Sequence, residues 1–284
     1  MRNISTTHAG MSDEYLFCDE PSELSEAYER YHAKHRDASY MRDWYGGLGT
    51  CEGLRRAQSG DNALVAASDA LISKLEDQII HSKKWRNIDD VVGSLPNVPA
   101  HLAGYPCAMR RRIRVDRDDA PLCIFIDLTS SGGIDAKKVL ARGTAVLALA
   151  RMLIEHRAVT LWAGIALGGG RPGSSTVAWR IDTAPLDLAR AAHLLCAPIM
   201  SRGVGYELSY AAHGSSGSWP LNSYEKHKAS AQGRLQAVMG CEICYVPPIY
   251  LTDALVNDPL GWIKRELARY TGSGGDARNT EDGV

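Results

Sequence analysis

The stretch that decides the fold reads LCIFIDLTSSGGIDAKKVLARG and occupies residues 122–143. Its first five residues form a continuous apolar run, which is typical of a strand buried on both faces of a sheet. After Asp127, a loop that contains two glycines leads into residues 135–156, where apolar side chains recur at helical spacing. A buried strand, a polar loop and a long helix in this order predict the opening unit of an α/β domain.

Strands and helices alternate along the rest of this region. Apolar runs predict strands at residues 159–166 and 176–181, and a last one at residues 242–251, whose middle carries two prolines. Apolar residues at helical spacing predict helices at residues 186–199 and 259–270. The alternation predicts an α/β fold of Rossmann type, with a mostly parallel central sheet and helices on both faces.

The composition changes along the chain and predicts four regions. Residues 1–20 are polar and predict a flexible N-terminus. Residues 21–109 predict a mainly helical N-terminal extension that ends in a proline-rich connector. Residues 110–270 carry the α/β pattern, and the glycine-rich, charged residues 271–284 predict a disordered tail.

Overall composition narrows the cellular setting and the class of partner. The 32 basic and 33 acidic residues nearly cancel, which excludes a chain-wide electrostatic footprint for nucleic acid. Seven scattered cysteines favour free thiols in a reducing compartment. The sequence shows neither the apolar segment of a signal peptide nor 18 consecutive apolar residues, so we expect a cytoplasmic protein without a membrane partner.

Hard oxygen ligands stand at the end of the first buried strand. Asp127 is followed at alternate positions by the hydroxyl residues Thr129 and Ser131. Ligands of open α/β sheets lie beyond the carboxyl ends of the strands. Carboxylate and hydroxyl oxygens in that place suit Mg²⁺ or another divalent cation, such as Mn²⁺ or Ca²⁺, better than zinc. A competing interpretation is that Asp127 only caps the helix or binds loop amides.

Placed between a buried strand and a long helix, Asp127, Thr129 and Ser131 resemble the Asp-x-Ser-x-Ser loop of von Willebrand factor A domains. The resemblance implies the fold of that family over residues 110–270 and a metal-ion-dependent adhesion site at this loop. It further implies a threonine and a later aspartate from other loops. Thr183, after the third strand, and Asp253, in a Thr-Asp pair, are the residues that take those two places.

A second resemblance concerns the N-terminal half of the chain. Trp44-Tyr45-Gly46-Gly47 and the stretch GSLPNVPAHLAGYP at residues 93–106 are similar to uncharacterised bacteriophage-encoded proteins, which pair such a region with an A-like domain. This resemblance implies a phage-encoded protein in the host cytoplasm, and it implies no activity.

One dense basic segment leaves a second class of function open. Arg110, Arg112 and Arg114 share one face of a predicted strand, where their charges could meet nucleic-acid phosphates. The same pattern is typical of an edge strand that charge protects against pairing with other chains.

Taken together, the patterns favour a non-enzymatic interaction protein that captures a protein partner, either through a divalent cation at Asp127 or directly. One alternative is a phage accessory factor that binds single-stranded nucleic acid during transcription or replication. Another is a metal-dependent hydrolase that uses Asp127, although the sequence places no second carboxylate or histidine for general-base work.

Overall fold

The computed structural model of the chain describes residues 1–8, 11–35, 39, 43–66, 69–70, 73, 85–114, 121–130, 133–154, 157–168, 173–213, 219–220, 228–249 and 254–271. Its contacts divide the chain into a large unit, Met1–Ser73 with Ala120–Val284, and a small unit, Lys74–Asp119. The candidate site predicted from the sequence belongs to the large unit.

The strands of the two units form separate sheets. In chain order the strands are β1 (Arg2–His8), β2 (Met11–Cys18), β3 (Trp85–Asp90), β4 (Leu95–Pro96), β5 (Met109–Arg114), β6 (Leu122–Asp127), β7 (Val159–Gly168), β8 (Gly173–Ile181), β9 (Trp219–Pro220) and β10 (Glu242–Val246). The large sheet has the order β1-β2-β8-β7-β6-β10, with β9 paired to β7. β6 is parallel to both β7 and β10, and β2 is parallel to β8. β8 is antiparallel to β7, and β1 to β2, so the sheet is mixed.

Helices connect and cover these strands, and the predicted α/β fold is confirmed at that level. They are α1 (Ser22–Arg30), α2 (Thr50–Ser59), α3 (Val98–Leu102), α4 (Ala136–Ile154), α5 (Leu188–Cys196), a π-helix (Met200–Gly205), α6 (Tyr206–His213), α7 (Lys228–Met239), α8 (Ala254–Asn257) and α9 (Pro259–Thr271). No helix among the described residues is both long and apolar enough to cross a membrane.

β6 is an interior strand of the large sheet, between β7 and β10, and its first five side chains are apolar on both faces. Every residue of β6 is buried, as its continuous apolar run predicts. The long helix that follows, α4, packs closely on α5 at Gly143, where an added Cβ would lie 2.4 Å from the carbonyl oxygen of Leu195. The absence of a side chain at Gly143 therefore lets the two helix backbones approach.

Helices cover both faces of the large sheet. On one face, Phe125 and Trp162 form a buried cluster with Ala231 and Leu235 of α7. Ile165 stands three residues after Trp162 on β7 and therefore points to the other face. There the π-helix approaches so closely that a Cβ added at Gly205 would lie 2.3 Å from Ile165 Cγ1.

The small unit is an antiparallel sheet with the order β3-β5-β4 and the short helix α3. Asn97 caps α3, because its side chain accepts a hydrogen bond from the backbone N–H of Ala100 at 3.4 Å. The turn between β3 and β4 passes close to β5, where a Cβ at Gly93 would lie 2.3 Å from the carbonyl oxygen of Arg110.

The organisation differs from the sequence prediction in two places. Residues 1–20 hold the β1–β2 hairpin, which continues onto β8 because Tyr15 and Phe17 contribute apolar side chains to the core. The predicted helical extension at residues 21–109 contains β3 and β4 of the small β-sheet, and β5, which was predicted to belong to the α/β domain, pairs with them instead. The predicted tail lies outside the described residues from residue 272 onward.

Candidate functional site

The chain changes its direction of sheet growth at β6. From β6 it passes through α4 to β7 on one side, and β10 later pairs with β6 on the other side. Doubly wound sheets bind ligands in the crevice beyond the carboxyl ends of the strands at such a switch point. Asp127 is the last residue of β6, and its neighbour Ile126 pairs with Val246, the last residue of β10. Asp127 therefore lies at the carboxyl end of β6, as its place after the apolar run predicts, and next to the end of β10.

Asp127 is fully buried, and both of its carboxylate oxygens accept hydrogen bonds. Oδ1 accepts from the backbone N–H of Thr129 at 2.9 Å and from the Thr129 hydroxyl at 2.5 Å. Oδ2 accepts from the hydroxyl of Tyr245 at 3.1 Å. Burial raises the pKa of Asp127, while the hydrogen bonds from Thr129 and the charge of Arg142 oppose the rise. Asp127 thus fixes the first turn of the loop that follows β6.

The segment after β10 crosses the crevice. The backbone N–H of Ile249 donates to the carbonyl of Thr129 at 3.1 Å. Arg142 of α4 donates to the carbonyl of Val246 at 3.3 Å and also to the carbonyl of Pro247. Backbone groups and a guanidinium consequently occupy the space next to Asp127.

The structure brings together two of the five predicted metal ligands, Asp127 and Thr129. Thr183 lies at the other end of the strands, where its hydroxyl donates to the carbonyl of Val159 at 2.5 Å. β8 is antiparallel to β7, so the end of β8 lies beside Val159, the first residue of β7. The prediction that Thr183 shares an ion with Asp127 is therefore wrong, because it took the third strand to be parallel.

The other two predicted ligands, Ser131 and Asp253, lie outside the described residues. In the described ranges, no group of three or more His, Cys, Asp and Glu side chains is placed to hold a metal ion. Asp127 and Thr129 direct their polar atoms at each other, at Tyr245 and at the β7 carbonyl of Ala166. The described part of the predicted ligand set thus does not fit a divalent cation.

A row of polar side chains, two of them buried and two half-buried, lies on the π-helix and α6. Arg202, Tyr206, Ser209 and His213 are spaced by four, three and four residues, which puts them on one helical face. Burial raises the pKa of Tyr206 to about 12, and the negative charge of Asp127 adds to that rise. Sequence reasoning missed this row because it looked for apolar periodicity, whereas here polar residues follow the helical spacing.

The C-terminal end of the row meets β2 and β8. The hydroxyls of Ser209 and Ser175 are 2.8 Å apart, and His213 Nδ1 is 2.9 Å from a carboxylate oxygen of Glu14. Glu14 and Ser175 are register partners on neighbouring strands, so these four side chains form one cluster. Burial lowers the pKa of His213, and Glu14 opposes that change. Its Nε2 is buried without a hydrogen-bond partner among the described residues.

The predicted basic face lies on β5 in the small unit, where β5 pairs with β3 on one side and with β4 on the other. Arg110 Nε is 3.3 Å from Asp89, and Arg111 is 3.1 Å from Asp90. Arg112 and Arg114 are register partners of Asn87 and Trp85 on β3. β5 is therefore the middle strand of its sheet rather than an edge strand, and carboxylates of β3 partner two of its arginines.

One protein family matches most of the chain. A family model described as a domain of unknown function, DUF7192, matches residues 9–232. The chain belongs to the DUF7192 family. The matched range includes the Asp127 loop, the polar row of α6 and the whole small unit, so all three features lie within the DUF7192 domain. No curated protein and no solved structure matches the chain at a significant level.

Proposed function

We propose that this protein is a non-enzymatic binding protein that captures a protein partner and is built on a von Willebrand A-like domain. The A-like assignment is supported by the interior strand β6, which ends in Asp127 and lies between β7 and β10, with helices on both faces of the sheet. The arrangement has the switch point at which such α/β sheets meet their ligands.

The observation that carries the proposal is the apolar surface of the small unit. Among the described residues, seven large hydrophobic side chains are more than half exposed, and six of them belong to this unit. They are Val91, Val92, Leu95, Val98, Leu102 and Tyr105, which we call the Val91–Tyr105 surface. Single exposed hydrophobic residues are ordinary, whereas a concentration of them marks an interaction site.

The helix α3 places two of these side chains on one exposed face. Val98 and Leu102 stand four residues apart on α3, so they share one face of that helix. Leu102 has 81% of its surface exposed and Val92 has 72%. Burying such side chains against a partner yields about 1.5–3 kcal/mol each before the costs of association.

The charges around this surface favour a protein partner over nucleic acid. The ion pairs of Arg110 with Asp89 and of Arg111 with Asp90 would have to open before these arginines could neutralise phosphates. An apolar surface with paired charges beside it is the arrangement of a protein–protein interface, which has an apolar centre and a polar rim.

The test is capture by the immobilised full chain from an extract of its native source, followed by calorimetry with the purified captured protein. The variant Val98→Lys/Leu102→Lys removes the apolar face of α3, and Tyr210→Lys is the matched control because Tyr210 is exposed on α6. We expect Tyr210→Lys to bind like the wild type and the double variant to bind at least about tenfold more weakly.

Two results would overturn the proposal. One is equal affinity of the wild type and the double variant for every captured protein. The other is a dimer of the chain alone that dissociates in the double variant, because the Val91–Tyr105 surface would then bind a second copy.

A further inference from the structure

Arg202 of the π-helix lies against the loop that follows β6. The resemblance to von Willebrand factor A domains implies a metal ion at this loop. It is 5% exposed, and each nitrogen of its guanidinium has a polar partner. One terminal nitrogen donates to the carbonyl of Trp44 at 3.0 Å and the other to the carbonyl of Ile134. Nε is 3.5 Å from the hydroxyl of Ser130. Two of these partners, Ser130 and Ile134, belong to the loop between β6 and α4.

The position of the guanidinium is fixed from a second side by an aromatic ring. Its central carbon lies 3.8 Å from the centroid of the Trp44 ring, which is a cation–π contact in a desolvated place. Burial lowers the pKa of Arg202, and the nearby carboxylate of Asp135 opposes that change. The guanidinium presents its donors in a rigid planar fork and stacks on an aromatic face, whereas a lysine ammonium is a compact point charge that does neither.

The oxygens that would have to bind a cation are already engaged. Asp127 accepts three hydrogen bonds, and the Thr129 hydroxyl donates to Asp127. Both residues are fully buried. Because Mg²⁺ gives up its water shell reluctantly and keeps several waters, binding here would require these hydrogen bonds to break and the loop to open.

We infer that Arg202 is the internal cation of this loop and takes the structural place that the A-type resemblance gives to a divalent ion. Its guanidinium ties the loop of Ser130 and Ile134 to the segment of Trp44. The loop is consequently formed in the absence of divalent cations. We also expect the protein to capture its partner equally well with and without a chelator. This second consequence rests on the proposed function.

The experiment measures thermal unfolding of the full chain and needs no partner, so its failure is distinct from failure of the proposed function. The wild type is compared in chelator and in millimolar Mg²⁺, Mn²⁺ or Ca²⁺, and we expect no shift of the melting temperature. We expect Arg202→Ala to lower the melting temperature by about 5 °C or more. Arg151→Ala is the matched control because Arg151 forms a half-exposed ion pair with Asp69, and it should change little.

Chemical rescue separates the role of the guanidinium from a merely structural effect of truncation. Methylguanidinium at concentrations below those that denature should restore part of the melting temperature of Arg202→Ala. Methylammonium and Mg²⁺ should not restore it, because neither supplies a planar fork of donors.

If Arg202→Ala does not fold, electron paramagnetic resonance of free Mn²⁺ with the wild type still decides the question. We expect no stoichiometric Mn²⁺ site that depends on Asp127. The inference is overturned if Mn²⁺ binds one to one to the wild type and not to Asp127→Asn. It is equally overturned if a divalent cation raises the melting temperature of the wild type or rescues Arg202→Ala.

Discussion

The Asp127 loop and the Val91–Tyr105 surface both depart from the usual pattern of polar residues outside and apolar residues inside. The loop has buried charged groups, whereas the surface has exposed apolar side chains. At the loop, the carboxylate of Asp127 and the guanidinium of Arg202 from the π-helix are buried, and their polar atoms form hydrogen bonds within the chain. On the surface of the small unit, large apolar side chains are exposed. The polar groups of the first region already have partners within the fold, whereas the apolar side chains of the second region are still in contact with solvent. A polar motif at the expected edge of a sheet is therefore not necessarily the part of the molecule that binds a partner.

The largest expected effect concerns the buried side of this comparison. Asp127→Ala removes the acceptor of three hydrogen bonds and leaves the hydroxyls of Thr129 and Tyr245 buried without it. We expect the free energy of unfolding to fall by about 3 kcal/mol, measured by urea denaturation. A loss below about 0.5 kcal/mol would show that the loop does not depend on Asp127.

Asp127→Asn is the control for this change, and its pH dependence has a definite sign. Asparagine keeps an acceptor for Thr129 without a charge. Because burial raises the pKa of Asp127, the stability it contributes is complete below its unfolded pKa of about 3.9 and is lost as the pH rises through the raised folded pKa. We therefore expect the free energy of unfolding of Asp127→Asn to rise relative to that of the wild type as the pH increases. A difference between the two proteins that does not change with pH would contradict this.

The second prediction tests another buried polar group of the large unit. Burial lowers the pKa of His193 to about 4, while its Nε2 lies 2.9 Å from the carbonyl of Gly53. The unfolded chain binds a proton near pH 6.5 and the folded chain does not, so stability falls as the pH drops from about 6.5 towards 4. The loss should approach about 3 kcal/mol near pH 4.

The measurement is urea denaturation of the wild type and of His193→Gln between pH 4 and pH 7. The variant retains the other titrating groups, so only the wild type should carry this additional slope. Parallel profiles for the two proteins would show that His193 titrates normally in the folded state.

A smaller loss of stability is expected when only one of the two carboxylate oxygens of Asp127 loses its hydrogen-bond donor. Tyr245→Phe removes the hydroxyl that donates to Oδ2 and leaves the bonds from Thr129 in place. We expect a loss of about 1 kcal/mol in the free energy of unfolding. The double variant Tyr245→Phe/Asp127→Asn should lose less than the sum of the single losses, and strict additivity would mean that the two side chains do not interact.

The smallest effect on stability belongs to the exposed side. Leu102→Ser on α3 should change the free energy of unfolding by no more than about 0.5 kcal/mol, because Leu102 is largely exposed already. Thermal unfolding of the isolated chain measures this. A loss above about 2 kcal/mol would show that the Leu102 side chain is buried in solution, and the contrast between the two regions would fail.

The α/β core could be predicted because its signals are local. The apolar run of β6 and the helical spacing of α4 specify those elements within a few residues, and both are found close to their expected bounds. The β1–β2 hairpin was missed because its apolar run, residues 15–18, is only four residues long and lies between acidic residues, and it pairs with β8, which is far away along the chain.

The candidate site was predictable in its first part only. Asp127 and Thr129 are close in sequence, so their contact follows from a single turn. Thr183 was misplaced because the mostly parallel pattern was extended to β8, although only residues 169–172 separate β7 from β8 and so short a connection joins antiparallel strands. Arg202 was missed because its contacts with Trp44 and Ile134 join segments that are far apart along the chain.

The local sequence is sufficient to specify the strand and helix around Asp127, the apolar character of β6 and the polar loop that follows it. The contact of this loop with Arg202 and the exposure of the hydrophobic residues of the small unit depend on how distant segments pack. The physical reason is one of range. Hydrophobic periodicity is a property of residues that are close in sequence. A buried charge needs hydrogen-bond partners, and these can come from segments that are far apart along the chain.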